Sequence, residues 1–398
     1  MKLRTVNMKQ YNERKYLIVD EKGLPIPRLC EFTLTHLYGA EKTQENNANH
    51  LIHIERWAAM LLKVDLTEIV AETGFADTGL YQSFLKHLEH HSYDINGARP
   101  LRPDIVSPDY FNQRLDLVLV YFQFLADKAI SKRRNTDPLF HQIPQMMEKL
   151  QVKLAKLRRP KTAQGRALGL SLVQQATLYD VMEMPSLLGW NKATQLRNKL
   201  ILRLLLETGI RKGELLSLTT SNCHTSKLVH GVYPFILTQQ NVEHNDPRGR
   251  SPREKTVGRI IPISFPLASL IDEYKQARKS LGDSAMKSPY LLLATTKPHN
   301  PLSIAALDDV FSSIKNKILE LSDIHPHKLR HTLFENLDRM LTKMGIDSAQ
   351  QKKLKNNVGG WTYNSDSSLI YEAGSIMEQC NLVLNQLHAE MESHRKLS

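Results

Sequence analysis

Ten residues beginning at His325, HPHKLRHTLF, hold three histidines, a lysine and an arginine. In a helix His327 and Arg330 share a face, so one can handle a proton while the other binds an anion. Arg211 follows Gly209 at the start of another predicted helix, and Lys255 stands in a polar loop entering a predicted strand. Side chains at element ends converge readily on a ligand, and helix N-termini add their own attraction for an anion. Phosphate is the natural guest. Two arginines can hold its non-bridging oxygens by paired hydrogen bonds and offset the charge that grows during phosphoryl transfer.

No carboxylate cluster at metal-ligand spacing accompanies these groups, and no phosphate-cradling Gly-rich loop is present, so two-metal or ATP-driven hydrolysis is disfavoured. A metal site built from His325, His327 and His331 lacks a fourth ligand, and His331 is expected to point elsewhere as a structural histidine. The remaining route through a phosphodiester is a covalent nucleophile. The segment GGWTYNSDSSLIYEAGS, just downstream, offers two tyrosines, Tyr363 and Tyr371.

The elements that must carry these groups follow from periodicity. Tyr16 to Val19 reads as a strand and Glu21 to Gly23 as a turn, giving residues 1–30 as a small hairpin or extended arm. Apolar residues recur at helical spacing from Asn47 to Leu62, Thr78 to Leu88 and Tyr110 to Ala129, which predicts an all-helical domain over 31–130. Residues 131–180 read as a basic connector of helix pieces interrupted by Pro138, Pro144 and Pro160. A second domain, 181–375, opens with a helix from Lys192 to Glu207 stopped by Gly209, then a helix over RKGELLSL. Two strand-like runs follow, LVHGVYPFILTQ and VGRIIPIS, then helices over Pro266–Leu281, Ala305–Leu321 and Lys328–Met344. In the tail, 376–398, Ile376, Cys380, Val383, Leu387 and Met391 form one apolar stripe that must find a groove. The fold class is mainly α with a small antiparallel sheet.

Composition bounds the function. The 398 residues are 41% hydrophobic and 24% charged, with no apolar run able to cross a bilayer and no signal-peptide pattern, so a cytoplasmic protein without a membrane partner is expected. Cys30, Cys223 and Cys380 are too scattered for a disulfide framework or a zinc site. The net charge is +12, and the stretch Lys128–Arg166 alone carries eleven Lys/Arg against two acids. Such a field suits a polyanion. Arg133, Arg134, Lys153, Lys156, Arg158, Arg159 and Lys161 in that stretch, with Arg250 and Arg253 near Lys255, are the candidate contacts to its phosphates.

Taken in order, TGIRKGELLSL, EKTVGRIIPIS, HPHKLRH and GGWTYNSDSSLIY resemble the four active-site boxes of the tyrosine recombinases, or phage-type integrases. The resemblance covers roughly Asn191 to Ser375, and more loosely the preceding helical domain, which is similar to that family's core-DNA-binding domain. It implies a tyrosine-recombinase-like α+β catalytic domain that cuts and rejoins DNA through a 3′-phosphotyrosyl link, with no cofactor. Carried over by residue, Arg211 and Arg330 would clamp the phosphate, Glu214 would support them and Lys255 would protonate the leaving 5′ oxygen. His327 would handle the nucleophile's proton, Trp361 would donate its ring N–H to the phosphate, and Tyr371 would be the nucleophile. Arg248 and Arg259, like Arg250 and Arg253, compete with Lys255 by position and read as phosphate contacts or solvent charges. Two departures stand out: the Trp361–Tyr371 interval is a residue long, and extra polar residues separate Arg211 from Lys255.

The implied partners are double-stranded DNA, clamped between the two domains, and further copies of the chain, a tetramer on paired sites; accessory proteins are allowed for. The tail stripe is then expected to dock on a neighbouring copy. The source expected on this basis is a bacterium or a mobile element. Two other classes compete: a DNA-binding protein that keeps the fold without catalysis, and a type IB topoisomerase-like enzyme that relaxes DNA as a monomer.

Overall fold

The structure, a computed structural model, describes residues 1–8, 13–39, 41–61, 66–70, 78–91, 105–160, 168–226, 234–238, 246, 248, 258–360, 379–380, 382–391 and 393. They form two compact units, Met1–Gln164 and Gly165–Ser398. Both are mainly helical, each with a small antiparallel sheet.

The first unit opens with strands β1 (Lys2–Met8) and β2 (Glu13–Val19), paired antiparallel from Lys2↔Val19 to Met8↔Glu13. Tyr16 and Ile18 of β2 lie in the same hydrophobic core as Leu29, Phe32 and Trp57, so of the two expectations for residues 1–30, hairpin or extended arm, the described strands have the pairing of the hairpin. Helices α1 (Pro27–Thr35), α2 (Glu41–Leu61), α3 (Leu66–Glu68), α4 (Thr78–Glu89), α5 (Pro108–Ser131) and α6 (Pro138–Ala155) complete the unit. Ser107 and Asp137 cap α5 and α6 by accepting from the backbone N–H of Tyr110 and Leu139, each followed by proline at the first helical position, where a missing N–H costs nothing.

The expected interruption at Pro144 does not occur. Proline lacks the N–H for the carbonyl four residues back, but Pro144 is on the exposed side of α6, where water can serve that carbonyl. The opposite stripe, Ile143, Met147, Leu150 and Leu154, is buried in the first unit's core and holds the helix straight through. The connector expected over 131–180 therefore divides: its first helix belongs to unit one, and the boundary falls after Gln164. Deep in this unit His53 and His87 stack at 4.0 Å, each bonded through Nε2 to the other's carbonyl. Burial, and then His87, drive His53 down to about 2, so this ring is neutral.

The second unit contains α7 (Leu172–Glu183), α8 (Lys192–Thr208), α9 (Lys212–Ser217), a sheet of β3 (Cys223–His224), β4 (Phe235–Thr238) and β5 (Arg259–Pro262), then α10 (Phe265–Lys279), α11 (Asp283–Lys287), α12 (Ile304–Lys317), α13 (Pro326–Lys343) and α14 (Ser348–Gly359). The sheet order is β3-β4-β5, antiparallel, with Thr238 opposite Arg259. β3 is too short to leave a periodic signal. Helix α8 is buried on nearly every side, Leu200, Ile201, Leu202, Leu204, Leu205 and Leu206 all lying in the core. It ends at Gly209, whose φ of +60° belongs to the left-handed region that favours glycine. A Cβ there would stand 2.7 Å from the Leu333 side chain, so the same glycine lets α8 approach α13.

The tail also packs in the second unit. Cys380, Val383, Leu384, Leu387 and Met391 are buried in its core, so this part of the apolar stripe is covered by its own unit and docking on a neighbour is not needed to bury it, while Ile376 lies outside the described residues. His388, 4% exposed, sits against Glu207 of α8, its Nδ1 3.6 Å from the carboxylate.

Candidate active site

Two helix starts and one helix end meet in the second unit. Arg211 is the N-cap residue of α9, and its backbone N–H donates to Glu214 Oε2 at 2.7 Å. Helix α13 begins at Pro326, directly after the extended His325, which puts His327 and Arg330 in its first turn and a half. Helix α14 terminates at Gly360, φ +60°, where the last carbonyls of the helix carry its partial negative charge.

Three guanidinium groups gather on those carbonyls. Arg330 donates from Nη2 to Gly359 O at 2.7 Å and from Nη1 to Gly209 O. Arg259 donates from Nε to Val358 O at 3.0 Å, and Arg211 reaches Gly359 O at 3.4 Å. Glu214 is fully buried and lies among them. It accepts from Arg259 through both oxygens, at 2.7 and 3.1 Å, and from Arg211 Nη1 at 3.3 Å. A forked pair of this kind fixes both planes at once. A Cβ on Gly360 would lie 2.6 Å from Arg259 Nη1, so a side chain there would dislodge the fork.

Glu214 bonds Arg259 and Arg211, and its charge also favours the charged form of Arg330. Burial, and then Arg211 and Arg259, push the Arg330 guanidinium down to about 9, which still leaves it charged at neutral pH. Burial is the larger cause of that depression, and the like charge of Arg211 and Arg259 adds to it. Arg211 is the partly exposed member, with a side chain 30% accessible, whereas Arg330 and Arg259 are buried. Beside them His327 is exposed, and partial desolvation, then His331, Arg330, His325 and Arg211, hold it below the usual histidine value. It is a neutral base in a cationic setting.

Several expectations change. His331 does not point elsewhere: four residues past His327 on the same face, it packs edge-on against that ring at 4.4 Å. Arg259 is neither a phosphate contact nor a solvent charge but the main partner of Glu214. Its signal was the strand alternation, since Arg259, Ile261 and Ile263 face one way and all are buried. Arg248 is buried too, held by Asp246. Lys161, Arg250, Arg253, Lys255, Trp361, Tyr363 and Tyr371 lie outside the described residues. Among the described residues no group of three or more His, Cys, Asp or Glu is placed to hold a metal.

The basic face of the first unit is partly committed to its own acids. Arg133 pairs with Asp137 at 2.8 Å, Arg158 with Asp116, and Arg159 with Glu89, the last also lying over the Phe111 ring at 4.0 Å. Arg134, Lys153 and Lys156 are exposed. Lys153 lies in the last turn of α6 and Lys156 is its C-cap residue.

No curated protein matches the chain. Among solved structures it is similar to the crystal structure of the XerH site-specific recombinase bound to difH substrate, a pre-cleavage complex, at 15% identity over 88% of this chain and 93% of that one, with a TM-score of 0.36. The Phage integrase family matches residues 174–351, a span that takes in Arg211, Glu214, Arg259, His327 and Arg330. The five residues gathered in this unit thus all fall within a stretch that matches the Phage integrase family, the span 174–351.

Proposed function

We propose that the protein is a site-specific DNA recombinase that cuts and rejoins duplex DNA through a 3′-phosphotyrosyl intermediate. The observation that carries this reading is the cluster of Arg211, Arg259 and Arg330 around the buried Glu214 carboxylate, with a neutral histidine on its rim. Arg211 and Arg330 bind the non-bridging oxygens of the scissile phosphate, Glu214 and Arg259 hold them in place, and Trp361 adds an indole N–H donor. The Tyr371 hydroxyl oxygen attacks phosphorus while its proton passes to His327. The bond from phosphorus to the 5′ oxygen breaks, and Lys255 protonates that oxygen. The 5′-hydroxyl of a partner strand reverses the step. The phosphodiester energy is kept in the tyrosyl ester, so the balanced reaction calls on neither ATP nor a metal.

The test is covalent capture. Protein mixed with fragmented host DNA and denatured in SDS should retain attached DNA whose ends, once sequenced, report the site. Tight binding without any SDS-resistant adduct would leave a non-catalytic DNA-binding protein as the better account. One observation favours a second reading: a tail stripe already buried in its own unit suits an enzyme that works as a monomer, as a topoisomerase-like relaxing activity would. Recombination needs a tetramer on paired sites, where the tail would exchange between copies. Sedimentation of the complex on a captured site distinguishes the two.

Two further outcomes follow. Because His327 titrates below the ordinary histidine value of about 6.5, its neutral form persists as pH drops to that value and is lost only below it. Single-turnover cleavage should therefore be level above about pH 6.5 and fall only at lower pH; a fall centred higher would remove His327 as the base. Replacing Lys153 and Lys156 together by Gln should lower the slope of log affinity against log salt by about 2, close to one per phosphate contact. An unchanged slope would put the DNA elsewhere.

A further inference from the structure

Residues 168–175, which lead into α7, are laid along α13. The Gly169 N–H donates to Glu335 Oε1 at 2.8 Å and the Leu170 N–H to Thr332 Oγ1 at 2.7 Å, while that hydroxyl donates to Lys328 O at 2.9 Å. Gln175, in the first turn of α7, donates to Leu170 O at 2.9 Å and accepts from Asn336 Nδ2 at 2.8 Å. Between these contacts Ser171 and Gln174 close a capping box, which stiffens the segment itself. Leu170, Gln175, Thr332 and Asn336 are all buried. A buried polar network whose members are satisfied rigidifies its surroundings and specifies one arrangement.

The arrangement specified here is the turn of α13 about its axis. On its apolar side the helix meets the core through Leu329, Leu333 and Leu337, and such contacts are non-directional, so they tolerate a helix that rolls or slides. Hydrogen bonds to Thr332, Glu335 and Asn336 do not. The approach is also close. A Cβ on Gly169 would stand 2.6 Å from Thr332 Cα and 2.7 Å from its backbone N, so backbone meets backbone there, as Gly209 meets the Leu333 side chain one residue on. Arg330 lies in the same turn and donates to Gly209 O. His327, His331 and Glu335 follow one another at intervals of four, a single stripe whose far end is held by the Gly169 N–H. We propose that the segment Gly169–Gln175 is a strap for α13, with Thr332, Glu335 and Asn336 as positioning residues that fix the turn at which His327 and Arg330 are presented to a phosphate. That role rests on the reading of His327 as the base and Arg330 as part of the phosphate clamp.

The test measures single-turnover cleavage at saturating DNA and DNA affinity for variants of the full chain, with melting temperature to establish that each is folded under the assay conditions. Rate constants, unlike amplitudes, are unaffected by an unfolded fraction. Gly169→Ala pushes strap and helix apart by about an ångström, a misplacement that costs on the order of 100-fold in rate. Thr332→Val and Glu335→Ala each delete one hydrogen bond of the strap and should cost about tenfold. Thr332→Ser and Glu335→Gln keep the acceptor oxygen and should cleave within about threefold of the wild-type rate. DNA affinity, spread over many phosphates, should change by less than about threefold in all of them. Wild-type rates in the three disruptive variants, equal losses in the conservative and the deleting ones, or affinity falling in step with rate would overturn the proposal, because each means that the strap does not set the turn of α13. Wild-type protein that cleaves no DNA would instead remove the proposed function, and the strap's role with it.

Discussion

Tyr371→Phe is expected to bind DNA as tightly as the wild-type protein and to form no covalent adduct, whereas Tyr363→Phe should keep adduct formation. The substitution deletes one oxygen. If that oxygen is the nucleophile, no neighbouring group can stand in, because the intermediate is an ester of that hydroxyl. Binding should be untouched because the phosphate clamp, Arg211 and Arg330 on α9 and α13, is organised by Glu214, Arg259 and the carbonyls of Gly209 and Gly359. The readouts are a mobility shift under native conditions and an SDS-resistant band under denaturing ones. An adduct surviving in Tyr371→Phe and vanishing in Tyr363→Phe would move the nucleophile eight residues upstream. Loss in both would point to a nucleophile that lies elsewhere.

The second large effect concerns Glu214. Its carboxylate is fully buried and compensates Arg259 directly and Arg211 in part, so Glu214→Ala leaves a buried guanidinium without a counter-charge. Removing one partner of a buried pair costs about 3–5 kcal/mol. For a unit of this size that is on the order of 10 °C in melting temperature, with loss of cleavage as the clamp loosens. The informative companion is Glu214→Gln/Arg259→Met, which removes both charges. Melting temperature should recover most of the loss, since replacing both members of a buried pair is close to neutral. Cleavage should not recover, because Arg211 then loses its pairing with the Glu214 carboxylate. Calorimetry and single-turnover cleavage on the same preparations would check this. A Glu214→Ala protein that melts like the wild type would mean that the pair is more solvated than its burial implies.

How far the sequence led is clear from individual residues. Gly209, Arg211 and Arg330 were legible because helix starts and stops have local causes, a left-handed cap and a face repeating every three or four residues, whereas α13 starts at Pro326, two residues before the expected Lys328. Arg259 was half legible, since alternation put it on the inward face but gave no reason to expect a charge there. Arg248 was invisible, because a single buried pair inside a long loop has no period and depends on Leu216, Leu302 and Tyr290, residues far away in the chain. Pro144 misled for a related reason. Its local rule is sound, but α6 is held by tertiary packing that a local rule does not weigh.

The end of α14 has one more consequence. Val358 and Gly359 supply the carbonyls that Arg211, Arg259 and Arg330 grasp, and the chain runs on from Gly360 directly into Trp361 and, ten residues later, Tyr371. The three guanidinium groups therefore share one footing. Fraying the last turn of α14 would loosen Arg211, Arg259 and Arg330 in one movement, leaving Arg330 its bond to Gly209 O and Arg259 its bond to Glu214. On the proposed reading of Tyr371 as the nucleophile, a movement that withdrew the tyrosine by unwinding α14 would weaken the hold on the phosphate at the same time.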